Sequence, residues 1–139
     1  MHFYLVSHTT LSLQIDSVRN EVRILQTLKH PNIVCLLSYD FSPLEYVLVF
    51  PLYPCGDLFQ LLAKRGPLPE SIAKGILSQL VRALHYLHCD RGIVHRDIKL
   101  ENILVESMNG ANVSVVLADF GLVCDLCAHN RSWKYGAKY

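Results

Sequence analysis

The sequence has no apolar run near the ~20 residues a helix needs to cross a bilayer, so it offers no membrane span. It has no excess of either charge: 13 Lys and Arg stand against 12 Asp and Glu, a net +1. That balance excludes the basic footprint of a protein that binds nucleic acid or an anionic membrane surface. Met1-His2-Phe3-Tyr4-Leu5-Val6 is largely apolar, but it lacks a basic flank, and His8, Thr9 and Thr10 interrupt the run. A signal peptide is therefore not expected. There is no internal repeat and no low-complexity tract. Nor is there an even set of cysteines: Cys35, Cys55, Cys89, Cys124 and Cys127 are five, and two of them lie in apolar runs. That excludes a simple disulfide framework and favours a reducing intracellular compartment, cytoplasm or nucleus.

What is present, 139 residues with 51% apolar and 18% charged, reads as one globular domain. Ile15, Val18, Val22, Leu25 and Leu28 recur at three- and four-residue spacing. They predict a helix capped by Asp16 or Ser17 and ended by His30-Pro31-Asn32, since proline disfavours helix at the residue before it. The β-rich runs 33–37 and 46–50, with a turn around Ser42-Pro43, predict an antiparallel pair. Asp57 starts a short helix carrying Leu58, Phe59, Leu61 and Leu62, which Gly66-Pro67 stops. Residues 69–88 carry the strongest helical pattern, with Pro69 in the first turn and an apolar stripe of Ile72, Ile76, Leu80, Ala83, Leu84 and Leu87. A stripe this wide predicts a further covering layer on the far side of the helix. Beyond Asp90-Arg91-Gly92, the apolar runs 103–105 and 113–118 flank Asn109-Gly110, a favourable hairpin turn.

Two polar motifs border those last runs. His95-Arg96-Asp97-Ile98-Lys99-Leu100-Glu101-Asn102 precedes the first, and Asp119-Phe120-Gly121, seventeen positions after Asn102, follows the second. Together they resemble the catalytic loop and the metal-binding motif of eukaryotic protein kinases. The resemblance implies ATP- and magnesium-dependent phosphoryl transfer to a protein hydroxyl. Asp97 would accept or orient the hydroxyl proton and Lys99 would steady the transferring group; a lysine there resembles the serine/threonine-specific branch. Asn102 and Asp119 would be the oxygen ligands of Mg²⁺. His95 and Phe120 would pack together and fix one motif against the other. Glu21, in the first helix, matches the family's ion-pairing glutamate, because Leu28-Lys29-His30-Pro31-Asn32-Ile33-Val34 resembles the family's exit from that helix. Phe50 would back the adenine pocket. Pro51 to Tyr53 would form the hinge, Pro51 offering its carbonyl and Tyr53 its N–H to a purine edge.

The pattern is broken in places. Residues 1–20 hold no glycine, so the family's glycine-rich phosphate loop is missing, and no lysine precedes Lys29 to pair with Glu21. Gly136-Ala137-Lys138-Tyr139 resembles the approach to an Ala-Pro-Glu motif that does not follow, and Ala137 stands where serine/threonine-specific members commonly carry threonine. The resemblance covers residues 15–139, about half of a kinase domain of roughly 250 residues, and the chain is expected to be inactive as it stands. Cys124-x-x-Cys127 with His129 has the spacing of zinc ligands, but no second cysteine pair accompanies it. Arg96 is of the kind that receives a phosphate from the activation segment, for which Ser132 is a candidate acceptor.

The expected architecture is α+β, a partial protein-kinase-like fold filling 1–139. About 15–53 would be a small-lobe remnant of one helix and two strands, and 54–139 the front half of a mainly helical large lobe. The expected function is that of a serine/threonine protein kinase-like protein with a protein substrate or partner, with neither nucleic acid nor membrane. The alternatives are a non-catalytic, pseudokinase-like binding module and, more remotely, a small zinc-binding protein built on residues 124–129.

Overall fold

Along Tyr46-Val47-Leu48-Val49-Phe50, Tyr46 and Leu48 are buried while their neighbours are half-exposed, the period-2 signature of a strand with one covered face. The computed structural model of the chain describes residues 3–8, 12–42 and 45–125. In it this run is β3 (Tyr46–Pro51), the centre of a three-stranded antiparallel sheet between β1 (Phe3–His8) and β2 (Ser38–Phe41). Helix α1 (Ser12–Leu25) lays Val18 and Val22 on Tyr46 and Leu48. β1 is a strand beyond the two expected, formed by the apolar run at the start of the sequence.

Two local expectations are corrected. Asp16 and Ser17 lie inside α1 and cap nothing, as the helix begins at Ser12. Of residues 33–37 only Leu37 reaches β3, its N–H donating to Val49 O at 2.8 Å; β2 itself starts at Ser38. The stretch before it is claimed by another layer, where Leu117 N–H donates to Asn32 O and Val34 N–H to Leu117 O, both at 2.9 Å. Of the turn around Ser42-Pro43, Pro43 lies outside the described residues; Ser42 N–H donates to Glu45 O at 2.9 Å.

The larger core gathers around a hairpin of β5 (Ile103–Asn109) and β6 (Asn112–Leu117), whose turn places Gly110 at φ +60°. Val105, Val115, Leu117 and Phe120 are fully buried there. Helix α2 (Leu58–Arg65) begins as expected at Asp57, whose Oδ1 accepts Gln60 N–H at 2.7 Å, and ends at Gly66 with φ +77°. Helix α3 (Glu70–His85) follows Pro69 and runs into a π-helical turn, Tyr86–Asp90. Two-residue strands β4 (Ile93–Val94) and β7 (Cys124–Asp125) pair antiparallel and bracket both polar motifs.

The stripe on α3 already has its partner. Ile76, Ala83 and Leu87 are buried, and Ile72, Leu80 and Leu84 pack on the same core. The apolar residues that face outward are instead Leu77, 60% exposed, and Val81, 56% exposed. Gln79, on the inner side, stitches three elements together. Its Oε1 accepts Asn32 Nδ2 and Val115 N–H at 3.0 Å each, and its Nε2 donates to Gly75 O at 3.2 Å and Val113 O at 2.7 Å. Among the described residues no helix is long and apolar enough to cross a membrane.

Candidate functional site

Between β4 and β5 the chain folds back on His95, which is only 1% exposed. His95 Nδ1 accepts Asp97 N–H at 3.3 Å. The ring's remaining hydrogen is thereby placed on Nε2, which donates to Ala118 O at 3.0 Å. Burial lowers the imidazole pKa, so it stays neutral and keeps this tautomer. The ring meets Phe120 edge-on, centroids 4.9 Å apart. One histidine thus joins the two polar motifs through a hydrogen bond and a ring contact.

Asp97 is the focus of the first motif. Its Oδ2 accepts Lys99 Nζ at 2.6 Å and Asn102 Nδ2 at 2.9 Å, and its carbonyl accepts the same Asn102 amide at 3.0 Å. The lysine hydrogen bond, seconded by the asparagine, holds the Asp97 carboxyl below its ordinary range. Asn102 ends a short 3₁₀ turn (Leu100–Asn102), and its carbonyl accepts Ala118 N–H at 2.8 Å, so the turn is fixed to the strand that delivers Asp119.

Asp119 has φ +62° and Arg96 φ +68°, left-handed values that cost a non-glycine residue about 1 kcal/mol or more. Each is held by side-chain hydrogen bonds to backbone. Asp119 Oδ1 accepts Gly121 N–H at 3.3 Å. Arg96 Nε donates to Leu122 O at 2.5 Å, with Nη2 at 3.4 Å from Val123 O. Strain at both motifs and nowhere else among the described non-glycine residues marks the loops as positioned for chemistry.

Helix α1 reaches the same place. Glu21 Oε1 accepts Phe120 N–H at 3.3 Å, and Ser17 Oγ donates to Gly121 O at 2.9 Å. Burial raises the Glu21 pKa above the usual carboxylate value; the Phe120 N–H opposes the rise and the nearby Asp119 charge adds to it. Glu21 and Asp119 both open onto a cleft of about 470 Å³, walled by Val34, Leu48, Phe50, Leu104 and Ala118, with Pro51 and Tyr53 at one edge and Asp57 and Glu101 also lining it. The Tyr53 phenol is pushed up to about 12, chiefly by burial.

The sequence-selected residues therefore converge. Asp97, Lys99 and Asn102 form one hydrogen-bonded cluster; Glu21 and Asp119 are neighbouring charges that both line the cleft, as do Phe50, Pro51 and Tyr53. Asn102 and Asp119 supply hard oxygen donors of the kind Mg²⁺ takes, so the donor set fits that ion. Cys127, His129 and Ser132 lie outside the described residues, and among the described ones no group of three or more His, Cys, Asp or Glu could hold a metal ion. Sequence reasoning missed Ser17 and Gln79. A serine one helical turn before Glu21 was visible as a shared face; Gln79 carried no local signal.

The register of β1 bears on the cleft. Tyr4 pairs with Phe50 and Val6 with Leu48, and directly opposed residues belong to one face of a sheet. Leu48 and Phe50 both line the cleft, and neither residue paired with them is basic.

A buried histidine that bonds Ala118 and packs on Phe120, holding the aspartate–lysine–asparagine cluster to the motif of Asp119 beside a cleft lined by a helix glutamate, is an arrangement of the protein-kinase fold. The family profile described as "Protein kinase domain" matches residues 5–138, and the chain belongs to the protein kinase family. It is 45% identical over 105 residues to the serine/threonine-protein kinase DCLK1 of Rattus norvegicus, covering 76% of this chain and 24% of the relative. It is 39% identical over 108 residues to the calcium/calmodulin-dependent protein kinase type 1 of Macrobrachium nipponense, with 77% and 30% covered. The serine/threonine-protein kinase srk1 of Schizosaccharomyces pombe is 39% identical over 97 residues, with 70% and 17% covered. The matches thus span less than a third of each relative's length.

Proposed function

We propose that this chain is a serine/threonine kinase-like domain whose transfer centre is built but whose nucleotide site lacks a cation. It would then bind ATP weakly and transfer no phosphoryl group by itself. The observation that carries the reading is the Asp97 carboxylate held by Lys99 at 2.6 Å and Asn102 at 2.9 Å, beside a cleft that no basic side chain among the described residues lines. In this reading Asp97 receives the hydroxyl of a protein serine or threonine. Lys99 steadies the transferring group, and Asn102 and Asp119 hold Mg²⁺, which when bound neutralises phosphate charge. Phe50 backs the base, and Pro51 and Tyr53 offer it a carbonyl and an N–H. The division at about residue 53 into a small-lobe part (15–53) and a large-lobe part (54–139) belongs to the same reading, with β1 adding its strand to the former. The sequence similarity to serine/threonine kinases supports the branch. Exposed thiols at Cys35, Cys55 and Cys89 suit a reducing intracellular compartment.

With the cation missing, the domain serves as a non-catalytic module that binds a protein partner, the second half of the proposal. The test is transfer of labelled phosphate from MgATP to a generic protein substrate, with Asp97→Asn as background. No transfer above that background is expected. Transfer that requires both Asp97 and Asp119 would overturn the inactivity, and transfer indifferent to Asp97 would overturn the site.

A further inference from the structure

Lys29-His30-Pro31-Asn32 carries the chain from α1 toward β6, and one imidazole holds it against the end of α3. His30 Nδ1 accepts Asn32 N–H at 3.0 Å, so the neutral ring carries its hydrogen on Nε2. The same ring stacks on Tyr86, with centroids 5.3 Å apart and planes 27° from parallel. The Tyr86 hydroxyl in turn accepts Lys29 N–H at 3.0 Å. Asn32 continues the chain of contacts into the core. Its carbonyl accepts Leu117 N–H, and its Nδ2 donates to Gln79 Oε1 and Val115 O. His30 thus stands between two anchor points, one on the helix and one on the hairpin.

The surroundings of the ring favour its neutral form. Tyr86 faces it from the π-helical turn and Arg82 from α3, while Lys29 precedes it in the chain. Partial burial lowers the imidazole pKa and the Arg82 charge lowers it further; among the described residues no acid acts in the other direction. A proton added to the ring goes on Nδ1, where it points at Asn32 N–H, and two donors cannot bond each other. The ring then has to turn, which leaves Asn32 N–H without its acceptor and lifts the imidazole off Tyr86.

We propose that His30 is a proton-operated latch between α1 and α3: neutral, it closes residues 29–34 onto the helix, and protonated, it releases them. The consequence reaches the candidate site, because α1 carries Ser17 and Glu21 to Gly121 and Phe120. A histidine whose folded pKa is lowered binds fewer protons folded than unfolded. Its contribution to stability is full above the unfolded value of about 6.5 and is lost as pH falls from there through the folded value. The latch is therefore closed at neutral pH and opens on acidification.

An NMR titration of the whole chain from about pH 7.5 to 5, a range that spans the histidine value, tests this on the His30 ring and on the Lys29 and Asn32 amides. All three should move with one midpoint, below the ordinary histidine value. In His30→Asn the side-chain oxygen accepts the N–H two residues on, as in an Asx turn, and does not titrate. There the Lys29 and Asn32 amides should stand still, and the melting temperature should vary less with pH than in the native chain. His30→Phe keeps a ring for Tyr86 but offers no acceptor, so it should melt below the native chain at neutral pH and approach it in acid. A His30 midpoint above the ordinary value would overturn the proposal, the Tyr86 face then holding a cation. So would Lys29 and Asn32 amides that ignore the His30 midpoint, or that still titrate in His30→Asn. If neither variant folds, the joint titration in the native chain decides by itself.

Discussion

Glu21 Oε1 accepts the backbone N–H of Phe120 at 3.3 Å, joining residues 99 apart in sequence. The bond ties α1 to the second polar motif without any cation. It also brings a buried carboxylate near Asp119, and burial with that neighbouring charge raises the Glu21 pKa.

Replacing Glu21 by Gln should therefore stabilise the fold near neutral pH. A carboxyl whose folded pKa lies above its unfolded value binds more protons when folded. Its contribution to stability is present below the unfolded value and is lost as pH rises through the folded one. Gln keeps an oxygen for Phe120 N–H and removes the charge that opposes Asp119. A melting temperature a few degrees higher at pH 7, the effect of about 1 kcal/mol in a domain of this size, with a flatter pH dependence above about pH 4.5, is the expected result. Thermal melts of both proteins from about pH 4.5 to 8 check it; a lower melting temperature for the Gln variant at pH 7 would show that the carboxylate is stabilising.

Lys99→Met should raise the Asp97 titration toward the ordinary aspartate range, because the lysine hydrogen bond is the main cause of its depression. A depressed carboxyl contributes stability above its unfolded pKa and loses it as pH falls through the folded one. The variant should thus lose less stability than the native chain on acidification. Carboxyl ¹³C shifts of Asp97 followed against pH give the midpoint directly, and an unmoved midpoint would assign the depression to Asn102 instead.

Long periodic elements and motif residues were legible in the sequence, and contacts made across the chain were not. α2 and α3 and the β5–β6 hairpin announce themselves through Asp57, Gly66, Pro69 and Asn109-Gly110, each a local backbone signal. The convergence of Asp97, Lys99, Asn102 and Asp119 followed from two motifs whose residues lie close in sequence. The displacement of the second strand from 33–37 to Ser38–Phe41 had no local cause, since residues 32–34 are drawn away by Leu117. Ser17 read as a cap until Gly121, 104 residues further on, took its hydroxyl. β1 was hidden because its run is short and its partner β3 lies far along the chain.

Gln79→Leu should destabilise the fold by at least about 2 kcal/mol, since buried groups left without partners cost about 1–3 kcal/mol each. Leucine fits the volume but abandons Val115 N–H and Val113 O on β6, and leaves Asn32 Nδ2 only its bond to Val115 O at 2.9 Å. Arg82→Ala is the contrasting control. Its side chain bonds Ser78 Oγ on the exposed side of the same helix, and its loss should cost within about 0.5 kcal/mol. Urea denaturation of the two variants compares them. Equal stabilities would mean that Gln79 is replaceable by packing alone.

Tyr4→Lys should strengthen the binding of a nucleoside triphosphate in the cleft. Tyr4 pairs with Phe50, which lines the cleft together with Glu21 and Asp119, so position 4 is where a cation is tested. The new cation would pair with Glu21, offset the burial and charge that raise its pKa, and contribute a charge-assisted hydrogen bond to phosphate worth about 1.5–3 kcal/mol. MgATP affinity should rise about 10- to 100-fold. Adding Glu21→Gln to the variant should remove part of the gain, because the lysine then loses the carboxylate that orients it. Calorimetry on the single and double variants decides the matter. A folded Tyr4→Lys protein with unchanged MgATP affinity would show that the missing cation is not what limits nucleotide binding.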